Sequence, residues 1–346
     1  MSAMASAEIL NELLKATSRS FYLTLRVLPR AIRPQIGLAY LLARTTDTIA
    51  DTEILPVDQR LAALGQLRER ILGSSSALLN LGHVARHQGS PDEQKLLEKV
   101  EASLALLGTL SSEDLKRVRT VLVTITSGQE LDLHRFAGAA QYRIVALGRA
   151  ADLDDYTYRV AGCVGEFWTK MCRAHLFPTV RLDEDQFIGD GIRFGKGLQL
   201  VNILRDLPAD LKIGRCYLPA ERLDEDRLLP ETLFSPVNEP KFLPLFHEYL
   251  DKAESHLAAG WRYTNTLPFG QFRVRLACAW PVLIGLRTIE QLRRASVTDL
   301  QQRVKISRSQ VRSVLWQTLL ASPFPLVWRK LYSPAVKAVA SDDNLA

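Results

Sequence analysis

The chain has 346 residues, of which 44 are Lys or Arg and 38 are Asp or Glu, so its formal net charge is +6. Hydrophobic residues make up 47% and charged residues 24%, which excludes collagen-like, low-complexity and wholly disordered chains. The mild positive charge is compatible with nucleic acid, a membrane surface or a phosphorylated ligand, and it does not choose among them.

The sequence shows no recognisable targeting segment and no cysteine motif. Residues 1–15 contain two glutamates and no basic segment ahead of an apolar core, so we expect no secretory signal peptide. No clean apolar window of roughly 18 residues occurs, so we also expect no transmembrane helix. The four cysteines have no CxxC spacing and no histidine at the spacing of a zinc motif, which favours a reducing, cytoplasmic location over disulfides or zinc.

Apolar residues recur at spacings of three and four along nearly the whole chain, which predicts an all-α fold. The helical segments are 9–14, 36–49, 61–72, 96–107, 115–133, 160–177, 187–204 and 242–257. Convincing strand alternation, fixed repeats and long polar linkers are absent from the sequence. We therefore predict a single domain over residues 1–346, with a polar, frayed tail at 341–346.

The first chemically distinctive segment carries two aspartates in an otherwise apolar helix. Asp47 and Asp51 are four residues apart, which places them on one helical face. Two such carboxylates are costly to bury without a counter-ion, and Mg²⁺ binds carboxylates together with phosphate oxygens. The pattern predicts metal-bridged diphosphate binding. The alternative is a solvated helix face or a helix-end cap.

A second acidic segment repeats this spacing. Asn202, Asp206 and Asp210 could form one stripe of oxygen ligands. Arginine gives bidentate contacts to phosphate oxygens, so the basic neighbours suit a diphosphate. Those neighbours are Arg205, Lys212 and Arg215. The alternative is an amphipathic helix with a polar face.

Pro208 complicates this second stripe. Inside a helix it removes a hydrogen bond, so we expect Asp206 on the last regular turn and Asp210 just beyond a bend. The two acidic segments together indicate a cavity in which carboxylates hold metal, the metal holds diphosphate and apolar walls hold a hydrocarbon chain.

With these segments the chain resembles the squalene/phytoene synthase family, the head-to-head prenyl synthases, over residues 17–310. Four motifs occur in the family's order. They are Ser18-Arg19-Ser20-Phe21, Asp47-Thr-Ile-Ala-Asp51, the segment from Tyr156 through Ala161-Gly162 to Gly165, and the segment from Asn202 through Asp210 to Gly214-Arg215 and Leu218-Pro219. The resemblance implies an isoprenoid synthase fold with helices around a central cavity.

The resemblance also implies the reaction and its residues. Two farnesyl diphosphates would be joined to presqualene diphosphate with Mg²⁺, then reduced by NADPH to squalene. The alternative is a phytoene, dehydrosqualene or hydroxysqualene synthase without the hydride step. The implied metal ligands are Asp47, Asp51, Asp206 and Asp210. The resemblance gives these four aspartates and Tyr156 a catalytic role. The implied substrate contacts are Ser18, Arg19, Ser20, Arg44, Gln199, Asn202, Arg205 and Arg215.

The squalene synthase subfamily is favoured by the segment containing Lys305 and Arg308, which is similar to one linked to NADPH phosphates. Its alternative is a solvated basic face, and no GxGxxG follows a strand. The departures are Thr52 and Ala209, which stand where acidic residues are expected, and Ala277, which replaces an aromatic residue.

The expected product is very apolar and has to leave into a bilayer. We therefore expect peripheral contact with the cytoplasmic face of a membrane through residues 316–328, including Phe324 and Leu326. The alternative for this segment is a core helix followed by a proline-rich turn. No nucleic-acid motif occurs, and we expect a monomer. A helical scaffold protein without catalysis is the remaining class, and the retained aspartates argue against it.

Overall fold

The structure is a computed structural model that describes residues 12–15, 17, 21–301 and 304–332, without the side chains of residues 21–23. It is 74% helical with few strands, which confirms the all-α prediction. The chain divides into two compact units. The first comprises Met1–Gly138 and Tyr158–Ile188, and the second comprises Ala139–Thr157 and Gly189–Ala346. The single domain over residues 1–346 stays a prediction.

The helices and strands are as follows in chain order. They are α1 (Phe21–Val27), α2 (Arg33–Ala50), α3 (Val57–Leu72), α4 (Gly82–Ala85), α5 (Pro91–Glu98), α6 (Val100–Leu107), α7 (Ser112–Arg135), β1 (Val145–Leu147), α8 (Ala150–Thr157), α9 (Cys163–His175), α10 (Glu184–Lys212), β2 (Arg215–Pro219), α11 (Ala220–Glu225), α12 (Glu239–Thr266), α13 (Phe272–Arg294), α14 (Val297–Leu300), α15 (Arg308–Ala321) and α16 (Pro325–Lys330). A π-helical segment, Tyr158–Gly162, joins α8 to α9.

In the first unit, α2 packs against α3 and α7. Its apolar residues Leu41, Leu42 and Ile49 have no solvent-exposed surface, which explains the three-and-four spacing in the sequence. The end of α2 is fixed by the buried Arg60, whose Nη1 donates to the carbonyl oxygen of Ala50 at 2.8 Å. The last turns of α2 are therefore a rigid support for the side chains that follow.

In the second unit, α10 continues through Pro208 to Lys212. The expectation that Asp210 lies beyond a bend is therefore wrong. Proline removes only its own N–H donor, and the residues around Pro208 retain helical backbone geometry, so Asp206 and Asp210 share one helix. Elsewhere in this unit α13 packs against both α12 and α15.

A short parallel pair of strands interrupts the helices. Val145 of β1 pairs with Arg215 of β2, and Ala146 pairs with Cys216. The sequence gives no alternation here because the strands are so short and β2 is buried on both faces. Gly214 makes the turn from α10 into β2. It has φ +84°, and a Cβ there would lie 2.3 Å from the backbone nitrogen of Ala140.

Two predicted helices also have different boundaries. The segment 96–107 is split at Lys99 into α5 and α6, and the segment 160–177 begins inside the π-helical turn. This turn packs against α7 at Gly128, where a Cβ would approach the Cβ of Arg159 to 2.9 Å. Among the residues that the structure describes, no helix is long and apolar enough to cross a membrane.

Candidate functional site

The first acidic motif lies at the C-terminal end of α2. The Arg44 guanidinium donates to the carboxylate of Asp47 and, 2.5 Å away, to Oε1 of Glu93 on α5. Asp51 caps the helix, and its backbone N–H donates to the carbonyl oxygen of Asp47 at 2.9 Å. Asp47 and Asp51 are thus one turn apart, as predicted. The sequence does not reveal Glu93 as a member of this cluster, because it reaches Arg44 from a different helix.

The carboxyl group of Asp47 is influenced by burial and by two charged neighbours. Burial raises the pKa of Asp47 above its ordinary value; Arg44 lowers it, and Glu93 raises it further. The carboxylate nevertheless remains reachable, since 44% of the Asp47 side chain is exposed. Arg44 therefore serves two carboxylates, with Asp51 one turn away. Carboxylate oxygens one helical turn apart are ligands of the kind that Mg²⁺ takes.

Thr52, where a further aspartate is expected, has a structural role. Its hydroxyl is buried, donates to the carbonyl oxygen of Thr48 at 2.7 Å and accepts from Gln88 at 2.6 Å. These two bonds engage the hydroxyl inside the protein. The carboxylates that this motif itself offers to a metal ion are therefore those of Asp47 and Asp51.

The second motif forms a stripe along α10. Asn202 is exposed, and Asp206 and Asp210 follow at intervals of four on the same face of this continuous helix. Arg205 binds Asp206 in a bidentate arrangement, with Nε 3.1 Å from Oδ1 and Nη2 2.6 Å from Oδ2. An ionised carboxylate has about four lone-pair positions, so Asp206 keeps acceptor capacity for a metal ion.

Two further predicted substrate contacts lie in the same unit. Gln199 is partly buried on α10, three residues before Asn202, so the two are neighbours on the helix surface. Arg215 is the first residue of β2 and is also partly buried. The turn at Gly214 brings this arginine into the strand directly after the acidic helix.

Tyr156 lies near the end of α8 and is 8% exposed. Its ring stacks on that of Tyr217 in β2, with centroids 4.8 Å apart, and the two hydroxyl oxygens are 3.4 Å apart. Helix α8 is held to α10 by an ion pair between Asp154 and Lys196 at 2.8 Å. Successive strand residues alternate in direction, so Tyr217 and Arg215 lie on the same side of β2. Tyr217 was not predicted as a site residue, because the strand β2 that carries it was not predicted either.

Tyr158, two residues beyond Tyr156, points elsewhere, as expected. Its hydroxyl donates to Oε2 of Glu166 at 3.0 Å. Burial and this carboxylate raise the pKa of Tyr158 to about 12. It is therefore neutral at ordinary pH and serves the π-helical segment as a hydrogen-bond donor.

The remaining predicted residues divide into two groups. Ser18, Arg19 and Ser20 lie outside the described residues. Lys305 and Arg308 are described and exposed; Lys305 lies three residues before α15, and Arg308 is the first residue of this helix. Their exposure and charge are compatible with a phosphate contact.

The donor set in each unit consists of an aspartate pair beside an arginine. Within the described part of the chain, no three His, Cys, Asp or Glu side chains form a ready-made metal cluster. Mg²⁺ keeps several waters and commonly takes only one or two carboxylates plus substrate phosphates. An aspartate pair beside an arginine in each unit therefore fits Mg²⁺ that arrives with a diphosphate.

Comparison with known proteins gives consistent relatives. The model of the squalene/phytoene synthase family matches residues 14–310. A presqualene diphosphate synthase of Rhodopseudomonas palustris is 33% identical over 253 residues, which cover 73% of this chain and 77% of that protein. A bifunctional lycopene cyclase/phytoene synthase of Gibberella fujikuroi is 28% identical over 314 residues, which cover 89% of this chain and 51% of that protein. The chain thus spans about half the length of such bifunctional relatives.

Solved structures show the same fold. The ligand-bound structure of TcSQS has a TM-score of 0.77 at 19% identity, covering 94% of this chain and 90% of that chain. Squalene synthase HpnC from Alicyclobacillus acidocaldarius has a TM-score of 0.58 at 18% identity. The match covers 84% of this chain and 94% of that chain. The homologues and structures of this kind are prenyltransferases. The chain therefore belongs to the squalene/phytoene synthase family.

Proposed function

We propose that this chain is a prenyltransferase that joins two farnesyl diphosphates head to head into presqualene diphosphate. The observation that carries this proposal is the aspartate pair beside an arginine on each of two helices. Arg44 borders Asp47 and Asp51 on α2, and Arg205 borders Asp206 and Asp210 on α10. Family membership supplies the substrate class.

Each group of residues has a distinct task in this proposal. The four aspartates hold Mg²⁺, which when bound neutralises the charge of the leaving diphosphate. Arg44, Arg205 and Arg215 bind phosphate oxygens and orient the substrate. The remaining predicted contacts, Ser18, Arg19 and Ser20 in the first unit and Gln199 and Asn202 in the second, supply polar groups for binding diphosphate.

The paired tyrosines act on the carbocation side of the reaction. When the allylic C–O bond breaks, its electron pair leaves with the diphosphate and a cation remains. The stacked rings of Tyr156 and Tyr217 present π faces that stabilise such a cation, and the phenol of Tyr156 can take or return a proton. Their burial excludes water, which would otherwise convert the cation to an alcohol.

The step after presqualene diphosphate distinguishes two candidates. The first is reduction by NADPH to squalene, with Lys305 and Arg308 binding the cofactor phosphates; their exposed charges fit such a contact. The second is release without a hydride step, as presqualene diphosphate or as a phytoene-, dehydrosqualene- or hydroxysqualene-type product. The named activity of the presqualene diphosphate synthase relatives favours the second candidate.

The apolar product also bears on where the protein works. We propose a cytoplasmic monomer that touches the membrane peripherally and delivers its product to the bilayer. The exposed apolar side chains of residues 316–327 support this contact.

Incubation with farnesyl diphosphate and Mg²⁺, with and without NADPH, tests the function by product identification. Presqualene diphosphate without NADPH and squalene with it are expected for the full squalene synthase. Presqualene diphosphate under both conditions would support the condensation and refute the reductive step. Failure to consume farnesyl diphosphate would refute both.

The metal assignment is tested by Asp47→Asn and Asp206→Asn. Each substitution keeps the side-chain volume and removes a charge, so we expect diphosphate release to fall at least about a hundredfold while the fold is retained. Asp58→Asn, an exposed aspartate of α3, is the matched control and should keep full activity. Undiminished turnover in both motif variants would contradict the assignment.

The cofactor assignment is tested by the double variant Lys305→Ala/Arg308→Ala. We expect unchanged formation of presqualene diphosphate and a higher KM for NADPH in the reductive step. Equal loss of both steps would show that these residues serve something other than the cofactor.

A further inference from the structure

The positive charge of the chain is concentrated in one stretch. Residues 301–340 contain seven Lys or Arg and no Asp or Glu, whereas residues 1–300 contain 37 basic and 36 acidic residues. The main body of the sequence is therefore nearly neutral, and the net charge comes from a stretch that includes α15 and α16. Such a stretch attracts an extended anionic surface.

Helix α15 carries apolar residues on two opposite faces. Val314, Thr318 and Ala321 are buried, and Thr318 accepts a hydrogen bond from Nε1 of Trp280 on α13 at 2.9 Å. Trp316 and Leu320 are 65% and 70% exposed, and at 100° per residue they lie on the opposite side of the helix. The inner face explains the packing, and the outer face has no role in it.

Helix α16 is held firmly while its own outer residues stay exposed. Trp328 is buried, stacks on Trp261 of α12 with centroids 5.5 Å apart, and donates from Nε1 to Oδ1 of Asn265 at 3.0 Å. Leu326 and Val327, directly before it, are 77% and 51% exposed. A single well-anchored tryptophan thus presents two neighbouring aliphatic side chains to solvent.

The same surface continues into the start of α13. The Arg275 guanidinium lies 5.1 Å from the ring centroid of Trp328 and 5.8 Å from that of Phe269, so it links α16 to the exposed Phe269. Burial lowers the pKa of Arg275, and the nearby Arg329 lowers it further. Two cations of like charge close to the exposed ring of Phe269 favour an anionic partner.

We propose that this outer apolar patch docks on an anionic phospholipid bilayer. The patch is defined as Trp316, Leu319, Leu320, Phe324, Leu326, Val327, Phe269 and Phe272, all of which are exposed. The proposal rests on the membrane contact proposed above and names its surface and lipid class.

The chemistry of the patch favours a bilayer over a second copy of the chain. Aromatic and aliphatic side chains insert at the headgroup boundary, while Arg312, Arg329 and Lys330 lie on the same two helices and meet lipid phosphates. A symmetric dimer would place this acid-free stretch against itself, so that like charges face each other.

Vesicle co-sedimentation tests the proposal. We expect the wild-type chain to bind vesicles of phosphatidylcholine and phosphatidylglycerol in equal parts, to bind pure phosphatidylcholine weakly, and to lose binding as salt is raised. Trp316→Ser/Leu320→Ser should reduce binding about tenfold or more. Arg329→Gln/Lys330→Gln should reduce binding to the anionic vesicles about fivefold per charge and leave weak binding to phosphatidylcholine unchanged.

Matched controls use exposed residues far along the sequence from α15 and α16. Leu78→Ser/Val237→Ser removes two aliphatic side chains that are more than 80% exposed, and Lys116→Gln/Lys241→Gln removes two exposed cations. Both controls should bind like wild type. If the patch variants bind vesicles like wild type, or if their only effect is to dissociate a dimer in sedimentation analysis, the proposal is overturned.

The measurement separates this proposal from the proposed function, because vesicle binding is assayed without substrate. A chain that binds vesicles but does not consume farnesyl diphosphate would refute the activity alone. A chain that is active in detergent but does not bind vesicles would refute the docking surface alone. The patch variants should keep wild-type turnover in detergent.

Discussion

Arg44 shows how one residue can organise an acidic motif. Its guanidinium contacts Asp47 and Glu93 together, so it fixes the rotamer of Asp47 and links α2 to α5. The proposed function gives the same side chain a second task, which is to bind a phosphate oxygen of the substrate. A substitution at Arg44 tests whether the two roles coincide.

Arg44→Gln should raise the KM for farnesyl diphosphate about tenfold or more, because a charge-assisted hydrogen bond is lost and two carboxylates lose their shared partner. Steady-state kinetics with Mg²⁺ in excess provide the measurement. The matched control is Arg70→Gln, which breaks an ion pair with Glu101 at 2.7 Å in the same unit and should leave KM unchanged. An unchanged KM in both variants would limit Arg44 to a structural role.

Tyr217 is the second residue whose role becomes visible only in three dimensions. Tyr217→Phe keeps the ring that stacks on Tyr156 and removes the hydroxyl 3.4 Å from its partner. We expect kcat to fall about tenfold with little change in KM, since proton transfer is affected and substrate binding is not. Tyr249→Phe, another buried tyrosine of the same unit, should have wild-type kcat. A wild-type kcat in Tyr217→Phe would restrict its role to ring packing.

At the scale of elements, the position of α10 depends on its close contact with α12. Gly197 lies five residues before Asn202, and a Cβ there would approach the Cβ of His256 to 2.9 Å and the backbone nitrogen of Leu257 to 3.1 Å. Because one of these atoms is backbone, a side chain at this position has to displace a helix. The distance between the acidic stripe of α10 and its neighbours thus depends on Gly197, which lies outside the motif.

Gly197→Ala should lower the free energy of unfolding by about 1–3 kcal/mol and reduce activity, because the two helices have to separate. Gly189→Ala on the same helix is the matched control. A Cβ at Gly189 meets nothing within 4 Å, so alanine's better helix propensity should leave stability equal or raise it by up to about 1 kcal/mol. Chemical denaturation of both variants measures the difference. Equal stabilities would contradict the close-contact argument.

At the scale of the whole molecule, the spacing of apolar residues predicted those helices that bury one face. Helices such as α2, α7 and α12 follow from their apolar spacing, and the aspartate pairs follow from the four-residue repeat. The continuous helix through Pro208 does not follow, since tertiary packing overrides the local preference of proline. The strand pair does not follow either, because β1 and β2 are distant in sequence and too short to show a pattern.

The candidate site was predictable only where its residues are neighbours in the sequence. Arg44 and Arg205 could be proposed because they are sequence neighbours of motif aspartates. Glu93 and Tyr217 could not, because each reaches its partner from a different element, across 49 and 61 residues of sequence. Such partners are visible only when the chain is folded.

The stability of the molecule should depend on pH through His256. Burial, then Arg193, Lys252 and Lys196, lower its pKa to about 4, while Asp154 opposes the shift. The ring accepts a hydrogen bond at Nδ1 from Arg193, which requires the unprotonated nitrogen. The unfolded chain has a histidine pKa near 6.5, so between pH 6.5 and 4 it binds a proton that the folded chain rejects.

The free energy of unfolding should therefore fall as the pH is lowered through this window, with His256 accounting for up to about 2 kcal/mol between pH 7.5 and 5. Urea denaturation at both pH values measures the difference. His256→Gln should reduce the pH dependence by that amount, because the neutral amide cannot gain the proton, whereas His83→Gln, an exposed histidine, should leave it unchanged. If the His256→Gln variant keeps the wild-type pH dependence, other titrating groups govern acid stability and the buried histidine does not.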